Sequence, residues 1–313
     1  MRVLFGPGAI GETVKQIQTA LTRNGLNSHA CDGWYGPATA ECVRAYQRSK
    51  ALPESGTIDD EGTWQLLMKC AVPTVSERCL QLTAAFEDHG FEKAVGNFDG
   101  ALLTWGIIGF TLASGGIQNI IQSIHRTKPE LLASAFGEYS GELLQLVSAP
   151  REWQLQWAFQ HTLKNGGLAE PWRAMFCTFG SLPEVRREQL KQVQTRYMAP
   201  AMNTARRLGF SSELGLALCF DIHVQNGGIK HTALDQIRKQ SVEGVPEATL
   251  RTVVANAVAD WANPAWSDDV RRRKLTIATG EGTVHGHAYV LKNWGLSGDF
   301  EAPELITFTA SSN

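Results

Sequence analysis

The stretch FEDHGFEKAVGNFDGALLTWGIIGFTLASGG, residues 86–116, carries two carboxylates, Glu87 and Asp99, ahead of a glycine-rich apolar run. Glu87 follows Phe86 at the end of a helical pattern, where a carboxyl group beside apolar neighbours tends to keep its proton. Asp99 lies in the turn-like sequence Asn97-Phe98-Asp99-Gly100, where better solvation favours the ionised form. Two carboxylates in such contrasting surroundings are a candidate acid and base. With 31 acidic residues in the chain, spacing alone leaves open whether the pair lies on an ordinary solvated face.

The residues that follow predict a mainly α-helical domain with a small β element beside the carboxylate pair. Leu214 to Val224 is nearly all apolar and predicts a buried central helix, and Glu184 to Met198 predicts an amphipathic helix stopped at Pro200. Strand-like residues are confined to parts of Gly96 to Leu103 and to Thr283 to Leu291. A stripe at helical spacing is formed by Ile117, Ile120, Ile121 and Ile124.

Ahead of this domain, Thr13 to Leu67 predicts a compact module of three short helices joined by glycine turns. Gly25 is positioned to end the first helix, Thr39 to cap the second, and Thr63 to begin the third. Pro73 then ends the third helix and begins a short connection. We therefore predict two domains, residues 1–74 and 75–313.

Composition excludes several classes of protein. The chain has 313 residues, a net charge of −2 and one short basic run, residues 271–274, so it lacks the basic face of a nucleic-acid binder. Such a run is typical of a solvated face or a charge network. No segment reaches the ~18 consecutive apolar residues of a membrane span. Gly6 and Pro7 interrupt the first apolar residues, so we expect no secretory signal peptide. We expect a monomer.

Metal-binding patterns are weak, and we expect neither a metal nor another cofactor. His285-Gly286-His287 lacks a third ligand nearby, and His223 in an apolar helix is typical of a core histidine. The six cysteines show no C-x-x-C pattern and no metal-like pairing with histidine. Two disulfide bridges are left open by the sequence, Cys31 with Cys42 and Cys70 with Cys79.

The N-terminal module resembles the type 1 peptidoglycan-binding domain family. This resemblance implies a wall anchor that binds murein without cutting it, although a three-helix spacer would share most of the same turn and core residues. We predict Tyr35, with Trp34 beside it, as a sugar-stacking surface. The residues that match are Val14, Gln18, Leu21, Gly25, Asp32-Gly33, Tyr35-Gly36, Thr39, Val43, Tyr46-Gln47, Leu52, Gly56, Ile58-Asp59, Thr63-Trp64 and Leu67.

The large domain resembles glycoside hydrolase family 46, the lysozyme-like chitosanases, in the order of its motifs over most of residues 76–280. The resemblance implies a lysozyme-like fold and an inverting hydrolysis in which Glu87 is the general acid, Asp99 the base, and Thr104 helps to hold the attacking water. Asp221 and Arg273 match an interior charge network that supports the acid. The matching residues are Glu87, Asp99-Gly100, Thr104, Gly106 to Phe110, Gly115, Tyr197, Pro200-Ala201, Ala205, Gly209, Asp221, Gly227 to Ile229 and Arg273.

Two positions depart from the family pattern. Gly116 stands where an acidic residue is expected after the glycine-rich turn, and Ala101 stands where an arginine is expected after the aspartate. Chitosan is polycationic, so the loss of a carboxylate weakens the case for it and favours a neutral, N-acetylated glycan such as murein. Trp105, beside the candidate water-holding threonine, is a further candidate glycan contact, although large aromatics at such positions are core residues first.

These observations favour a modular muramidase that cuts the β-1,4 bonds of murein glycan strands. In the absence of a signal peptide, we expect a phage endolysin released through holin-type membrane pores or, next, a secretion-system toxin that acts on a rival's cell wall. Three alternatives stay open: a chitosanase or chitinase, a lytic transglycosylase that needs the acid alone, and a wall-binding protein without catalytic activity.

Overall fold

The computed structural model describes residues 2–26, 31–60, 62–87, 90–97, 100–241 and 244–306. The chain divides into two compact units. The first unit comprises Met1–Phe86 and Tyr197–Asn313, and the second comprises Glu87–Arg196. The first unit contains the whole predicted N-terminal module together with part of the predicted large domain. The domain boundary near residue 74 therefore stays a prediction. Among the described residues, no helix is both long and apolar enough to cross a bilayer.

The first 70 residues contain the three predicted helices and a short two-stranded sheet that the sequence did not indicate. Gly25, with φ of +80°, follows the end of the first helix as predicted. The second helix begins earlier than expected: Gly36 is its cap, Pro37 fills its first turn, and Thr39 is buried inside it. The elements are β1 Val3–Phe5, α1 Glu12–Arg23, α2 Pro37–Ser49, β2 Ile58–Asp59, antiparallel to β1, and α3 Thr63–Met68.

The second unit follows α4, Val75–Phe86, and surrounds a small antiparallel sheet with helices. The strands flank the predicted segment Gly96 to Leu103, and none of its described residues lies in a strand. Gly100 and Leu102 have positive φ values of +88° and +69°, which an extended strand excludes. The elements are β3 Ala94–Val95, β4 Thr104–Trp105, β5 Phe110–Thr111, α5 Gly116–Thr127, α6 Pro129–Phe136, α7 Ser140–Ser148, α8 Arg151–His161, α9 Trp172–Ser181 and α10 Pro183–Val193. The isoleucine stripe is buried along α5, as predicted.

The prediction of a helix stopped at Pro200 is wrong. A π-helical turn, Gln194–Met198, follows α10 and leads directly into α11, Ala199–Leu208. Pro200 lies in the first turn of α11, where its missing N–H would have had no helical partner.

The rest of the first unit is built around the predicted central helix, α12, Glu213–Asn226, which is buried over most of its length. The Ser212 hydroxyl accepts a hydrogen bond from the Gly215 N–H at its start, and Gly227, with φ of +70°, ends it. Helix α4 packs against α12. The remaining elements are α13 His231–Gln240, α14 Glu247–Asp260, α15 Ser267–Thr279 and a hairpin, β6 Glu281–Val284 with β7 His287–Val290. The sequence indicated strand-like residues at Thr283 to Leu291, without the turn at His285-Gly286 that divides them into two strands.

Candidate active site

The candidate acid Glu87 is half-buried and directly follows the last residue of α4. That end of α4 is fixed by two contacts inside the first unit. The Thr83 hydroxyl donates a hydrogen bond of 3.0 Å to Asp221 Oδ1, and the Arg273 guanidinium lies 5.1 Å from the centre of the Phe86 ring. The residue that precedes Glu87 in the chain is therefore held in place by packing and by charge.

The predicted support pair, Asp221 and Arg273, is brought together in the interior of the first unit, and both side chains are buried. Arg273 binds the carboxylate through Nε, at 2.9 Å from Oδ2, and through Nη2, at 2.6 Å from Oδ1. Lys274 adds a second cation, with its Nζ 2.5 Å from Oδ2. Lys274 also donates to the amide oxygen of Gln225 at 2.6 Å. These groups, with Thr83, form the Asp221 cluster.

Charge in the Asp221 cluster keeps the carboxylate ionised. Burial alone would raise the pKa of Asp221, but the charges of Arg273 and Lys274 and their hydrogen bonds lower it to about 2. Asp221 is therefore an anion throughout the physiological pH range, and it fixes the arginine that packs on the ring of Phe86.

Lys274 is the main residue that sequence reasoning missed. The basic run 271–274 left a solvated face and a charge network open, and the structure buries Arg273 and Lys274 in a charge network around Asp221. A signal was present, since Val270, residues 273 and 274, and Ile277 follow the i, i+3, i+4, i+7 spacing of one buried helix face. Thr83 gave no comparable signal, because its partner Asp221 lies 138 residues further along the chain.

Thr104 lies in β4, the central strand of the small sheet, and is buried. It pairs with Val95 on one side and Thr111 on the other. Its neighbour Trp105 is fully buried, stacks on Phe179, and donates its indole N–H to the Phe176 carbonyl at 3.1 Å. The prediction that Trp105 contacts glycan is therefore wrong in this structure, because its ring is enclosed by the core of the second unit.

Asp99, the candidate base, lies outside the described residues. The chain on either side of it is firmly held: the side chain of Asn97 accepts hydrogen bonds from the backbone N–H groups of Gly100, at 3.0 Å, and Leu102, at 3.1 Å. The Asn97 N–H donates to the Thr162 hydroxyl at 2.8 Å. Asn97 is thereby tied to the end of α8; the sequence placed it in the turn-like segment around Asp99 but assigned it no role of its own.

The two predicted sugar-stacking aromatics of the N-terminal module differ in exposure. Trp34 is 53% exposed, so its ring is available to a ligand. Tyr35 is fully buried and donates its hydroxyl hydrogen to the Gly56 carbonyl at 2.9 Å. Burial also raises the pKa of Tyr35 far above its ordinary value. Tyr35 is thus a core residue, and the prediction that it stacks on a sugar is wrong.

Gly116, one of the two departures from the family pattern, lies at the start of α5 in the second unit. A Cβ atom at Gly116 would come within 3.2 Å of the Phe110 Cβ, so an acidic side chain would be crowded there. Next to this turn, Arg196 donates from Nη2 to the Ser114 carbonyl at 3.1 Å. Its Nη1 atom is buried without a hydrogen-bond partner in the described part of the chain. The turn therefore has a cation beside it and a glycine where the pattern has a carboxylate.

The histidines and cysteines considered from the sequence form neither a metal site nor a disulfide among the described residues. Within the described residues, no group of three His, Cys, Asp or Glu side chains could hold a metal. His285 pairs with Asp269 at 2.8 Å, and His223 with the Thr204 hydroxyl at 2.9 Å. All six cysteines, including the two pairs left open by the sequence, are free thiols in this structure.

Comparisons with known proteins agree with this architecture. A putative peptidoglycan binding domain matches residues 10–67, and glycosyl hydrolase family 46 matches residues 83–251. No curated protein matches the chain.

Among solved structures, a family-46 chitosanase from Gynuella sunshinyii in complex with chitotetraose is similar with a TM-score of 0.53 and 20% identity, over 70% of this chain and 98% of its own. A native chitosanase from Bacillus subtilis MY002 has a TM-score of 0.48 and 19% identity, over 65% of this chain and 85% of its own. At 20% identity, the similarity to the Gynuella sunshinyii enzyme shows the fold alone. Because the family model covers more than half of the 313 residues, the chain belongs to glycosyl hydrolase family 46, as a glycoside hydrolase that also carries a peptidoglycan-binding domain.

Proposed function

We propose that the protein is a muramidase, which hydrolyses the β-1,4 glycosidic bonds of murein glycan strands. The observation that carries this proposal is the peptidoglycan-binding domain fused to the family-46 domain. A wall-binding domain raises the effective concentration of the catalytic domain at murein, and it offers no such advantage on a polymer that it does not bind. Its setting, a phage endolysin or a secretion-system toxin, stays a prediction.

The wall-binding module is joined to the helical part of the first unit by a buried charge cluster, which we call the Glu213 cluster. Glu213, at the start of α12, is fully buried and accepts hydrogen bonds from Arg2, beside β1, and from Arg78 of α4 at 2.9 Å. The Ser297 N–H donates to its other oxygen at 3.1 Å. The module is therefore held by buried interactions, and a flexible tether does not describe this connection.

Electrostatics near the glycine-rich turn support murein over chitosan. Chitosan carries a positive charge on each free amino group, and a cleft that binds it needs carboxylates. At this turn the chain has Gly116, crowded by Phe110, and the guanidinium of Arg196. A cation there opposes a polycationic substrate and is compatible with the neutral sugars and peptide carboxylates of murein.

The proposed mechanism assigns one role to each candidate residue. Glu87 donates a proton to the glycosidic oxygen as the bond to the anomeric carbon breaks. Asp99 removes a proton from a water molecule, held by Thr104, as that water attacks the anomeric carbon from the opposite face, so the anomeric configuration is inverted. The Asp221 cluster fixes the end of α4 and so contributes to the orientation of Glu87 without contacting the substrate.

Reducing-sugar release from purified murein sacculi and from chitosan, measured at equal polymer mass, tests the proposal. We expect faster release from murein than from chitosan. In Glu87→Gln the rate of release from murein should fall by more than about 100-fold, since a general acid contributes rate factors of that order. Glu130→Gln, an exposed glutamate of α6 in the same unit, is the matched control and should retain the parental rate. Faster release from chitosan would overturn the proposal.

The second candidate is hydrolysis of chitosan itself. It is favoured by the similar fold of the Gynuella sunshinyii chitosanase, which was solved with chitotetraose. The same assay separates the two candidates: a chitosanase would release reducing sugar from chitosan and leave N-acetylated murein largely intact.

A further inference from the structure

The loop that joins α14 to α15 presents two exposed tryptophans to solvent. Trp261 is 45% exposed and Trp266 is 63% exposed. Indole rings bury large apolar areas when they find a partner, and so exposed pairs within six residues are unusual on a soluble surface. The loop lies beyond residue 251, where the family-46 match ends, and within the first unit. The loop contains none of the candidate active-site residues, and the family-46 sequence match does not reach it.

The backbone of this loop is fixed by hydrogen bonds. The Trp266 N–H donates to the Asn263 carbonyl at 2.8 Å, and the Ala265 N–H donates to the Asn263 side chain at 3.1 Å. Lys230 Nζ donates to the carbonyl oxygen of Trp261 at 2.6 Å. A ligand that stacks on these rings would therefore lose little free energy to ordering the loop.

A chain of planar polar groups runs from the first indole. Trp261 Nε1 donates to Gln236 Oε1 at 2.8 Å, and Gln236 Nε2 donates to Asp260 Oδ2 at 2.6 Å. Arg271 donates from Nη2 to Asp260 Oδ1 at 2.6 Å and from Nη1 to Asn256 Oδ1 at 2.7 Å. The chain thus holds the Trp261 ring at a set angle and presents partly exposed amide, carboxylate and guanidinium edges beside it.

We propose that this surface, the Trp261–Trp266 loop with Gln236, Asp260 and Arg271, is an additional saccharide-binding site for the glycan polymer. A pyranose ring has an apolar C–H face that packs on an aromatic ring and a rim of hydroxyl and acetamido groups that require planar donors and acceptors. Exposed indoles beside amide and ion-pair edges supply both kinds of contact. The identity of the polymer as murein rests on the proposed function.

A bilayer is the competing occupant of an exposed tryptophan pair, and local charge disfavours it. Asp260 precedes Trp261, and Asp268 and Asp269 follow Trp266 in the first turn of α15. Arg271 is paired with Asp260, and Lys230 lies against the Trp261 carbonyl, so with these carboxylates the loop has no excess of basic residues to attract an anionic membrane surface. The indole N–H of Trp261 is also already paired with Gln236.

The site would act together with the wall-binding module. Trp34 of the module and the Trp261–Trp266 loop belong to the same compact unit, so binding at one surface keeps the other near the polymer. Two linked contacts convert the second binding event into an intramolecular one and raise the overall affinity for an insoluble polymer, with little effect on a short soluble saccharide.

Co-sedimentation with purified murein sacculi tests the site, in a full-length Glu87→Gln background that leaves the polymer intact. We expect the Trp261→Ala/Trp266→Ala variant to bind sacculi on the order of tenfold more weakly, as for the loss of a well-packed aromatic contact. Trp261→Phe/Trp266→Phe keeps an aromatic ring at each position and should retain most of the binding. Trp153→Ala removes a partly exposed indole from the second unit and should bind as the parent does.

Parental sacculus binding by the double alanine variant, or an equal loss in Trp153→Ala, would overturn the site. So would a loss of binding to vesicles of anionic phospholipid in place of sacculi, which would identify a membrane contact. The catalytically intact parent separates the two proposals: if it releases no reducing sugar from sacculi while the alanine variant loses binding, the muramidase proposal fails and the site stands. If it cleaves sacculi and the variant binds normally, the reverse holds.

Discussion

The central helix α12 carries two buried carboxylates, eight residues apart, and each of them lies between two cations but connects different parts of the chain. Glu213 lies between Arg2 and Arg78, and Asp221 lies between Arg273 and Lys274. Both carboxylates are fully buried. Burying ions is costly unless each is paired and hydrogen-bonded, so neither cluster is by itself evidence of high stability.

The two clusters differ in what they connect. The Glu213 cluster joins segments far apart in the chain, the residue beside β1, the start of α4 and the backbone at Ser297. The Asp221 cluster joins α12 and α15 to the other end of α4, at Thr83 and Phe86, next to the candidate acid. One helix therefore fixes the wall-binding module at its first residue, and just past its middle it fixes the end of α4 that precedes the candidate acid. The two functions should therefore respond separately to mutation.

The largest expected effect is that of Asp221→Asn. It leaves two buried cations without their anion, so we expect the free energy of unfolding to fall by about 3–5 kcal/mol and kcat on a soluble oligosaccharide to fall about 100-fold or more. Urea unfolding and steady-state kinetics measure these changes. Asp235→Asn, which breaks an exposed ion pair with Arg238, is the control and should change stability by less than about 1 kcal/mol. A kcat of Asp221→Asn within twofold of the parent would refute the positioning role.

Glu213→Gln sharpens the comparison, because it breaks the other cluster. The loss of stability should again be about 3 kcal/mol, since Arg2 and Arg78 lose their carboxylate. Burial, and then the charge of Arg2, already lowers the pKa of Arg78. Below its unfolding temperature, the variant should keep kcat on soluble saccharide within a few-fold while it binds sacculi more weakly. A fall in kcat equal to that of Asp221→Asn would show that the clusters are not separable.

Acid should weaken the Asp221 cluster in a defined pH window. The pKa of Asp221 is about 2 in the folded protein and near its ordinary value when unfolded, so its contribution is full above about pH 4 and is lost as the pH falls toward 2. That shift corresponds to about 2 kcal/mol. Between about pH 4 and pH 2, the free energy of unfolding measured in urea should decline in the parent by about 2 kcal/mol more than it does in Asp221→Asn. Identical pH profiles would contradict the assignment.

The smallest expected effect is that of Thr83→Val, which removes one hydrogen bond to Asp221 and preserves side-chain volume. We expect a loss of about 1 kcal/mol in the free energy of unfolding, typical of one buried hydrogen bond. If the cluster orients Glu87, kcat should fall several-fold while KM stays unchanged. A change confined to KM would indicate a contact with substrate instead.

Sequence patterns predicted the helices well where burial was one-sided or complete, as on α5 and α12. They also predicted the Asp221–Arg273 pair, through resemblance to a family. They failed where side-chain direction mattered: Tyr35 was predicted to stack on a sugar and Trp105 was a further candidate glycan contact, yet each ring is buried. Aromatic size favours burial, but a sequence does not show which way a side chain in a turn points. The Glu213 cluster could not be predicted, because Arg2 and Glu213 are 211 residues apart and each looks like an ordinary surface charge.

The central claim is that Glu87 and Asp99 hydrolyse the murein glycan strand with an activated water, and mass spectrometry of sacculi digested in oxygen-18 water tests it most directly. The account predicts fragments that end in a reducing sugar carrying one oxygen-18 at each new end, with no such fragments from Asp99→Asn. Fragments with 1,6-anhydro ends, formed without added water and at near-parental rate by Asp99→Asn, would contradict it and identify a lytic transglycosylase.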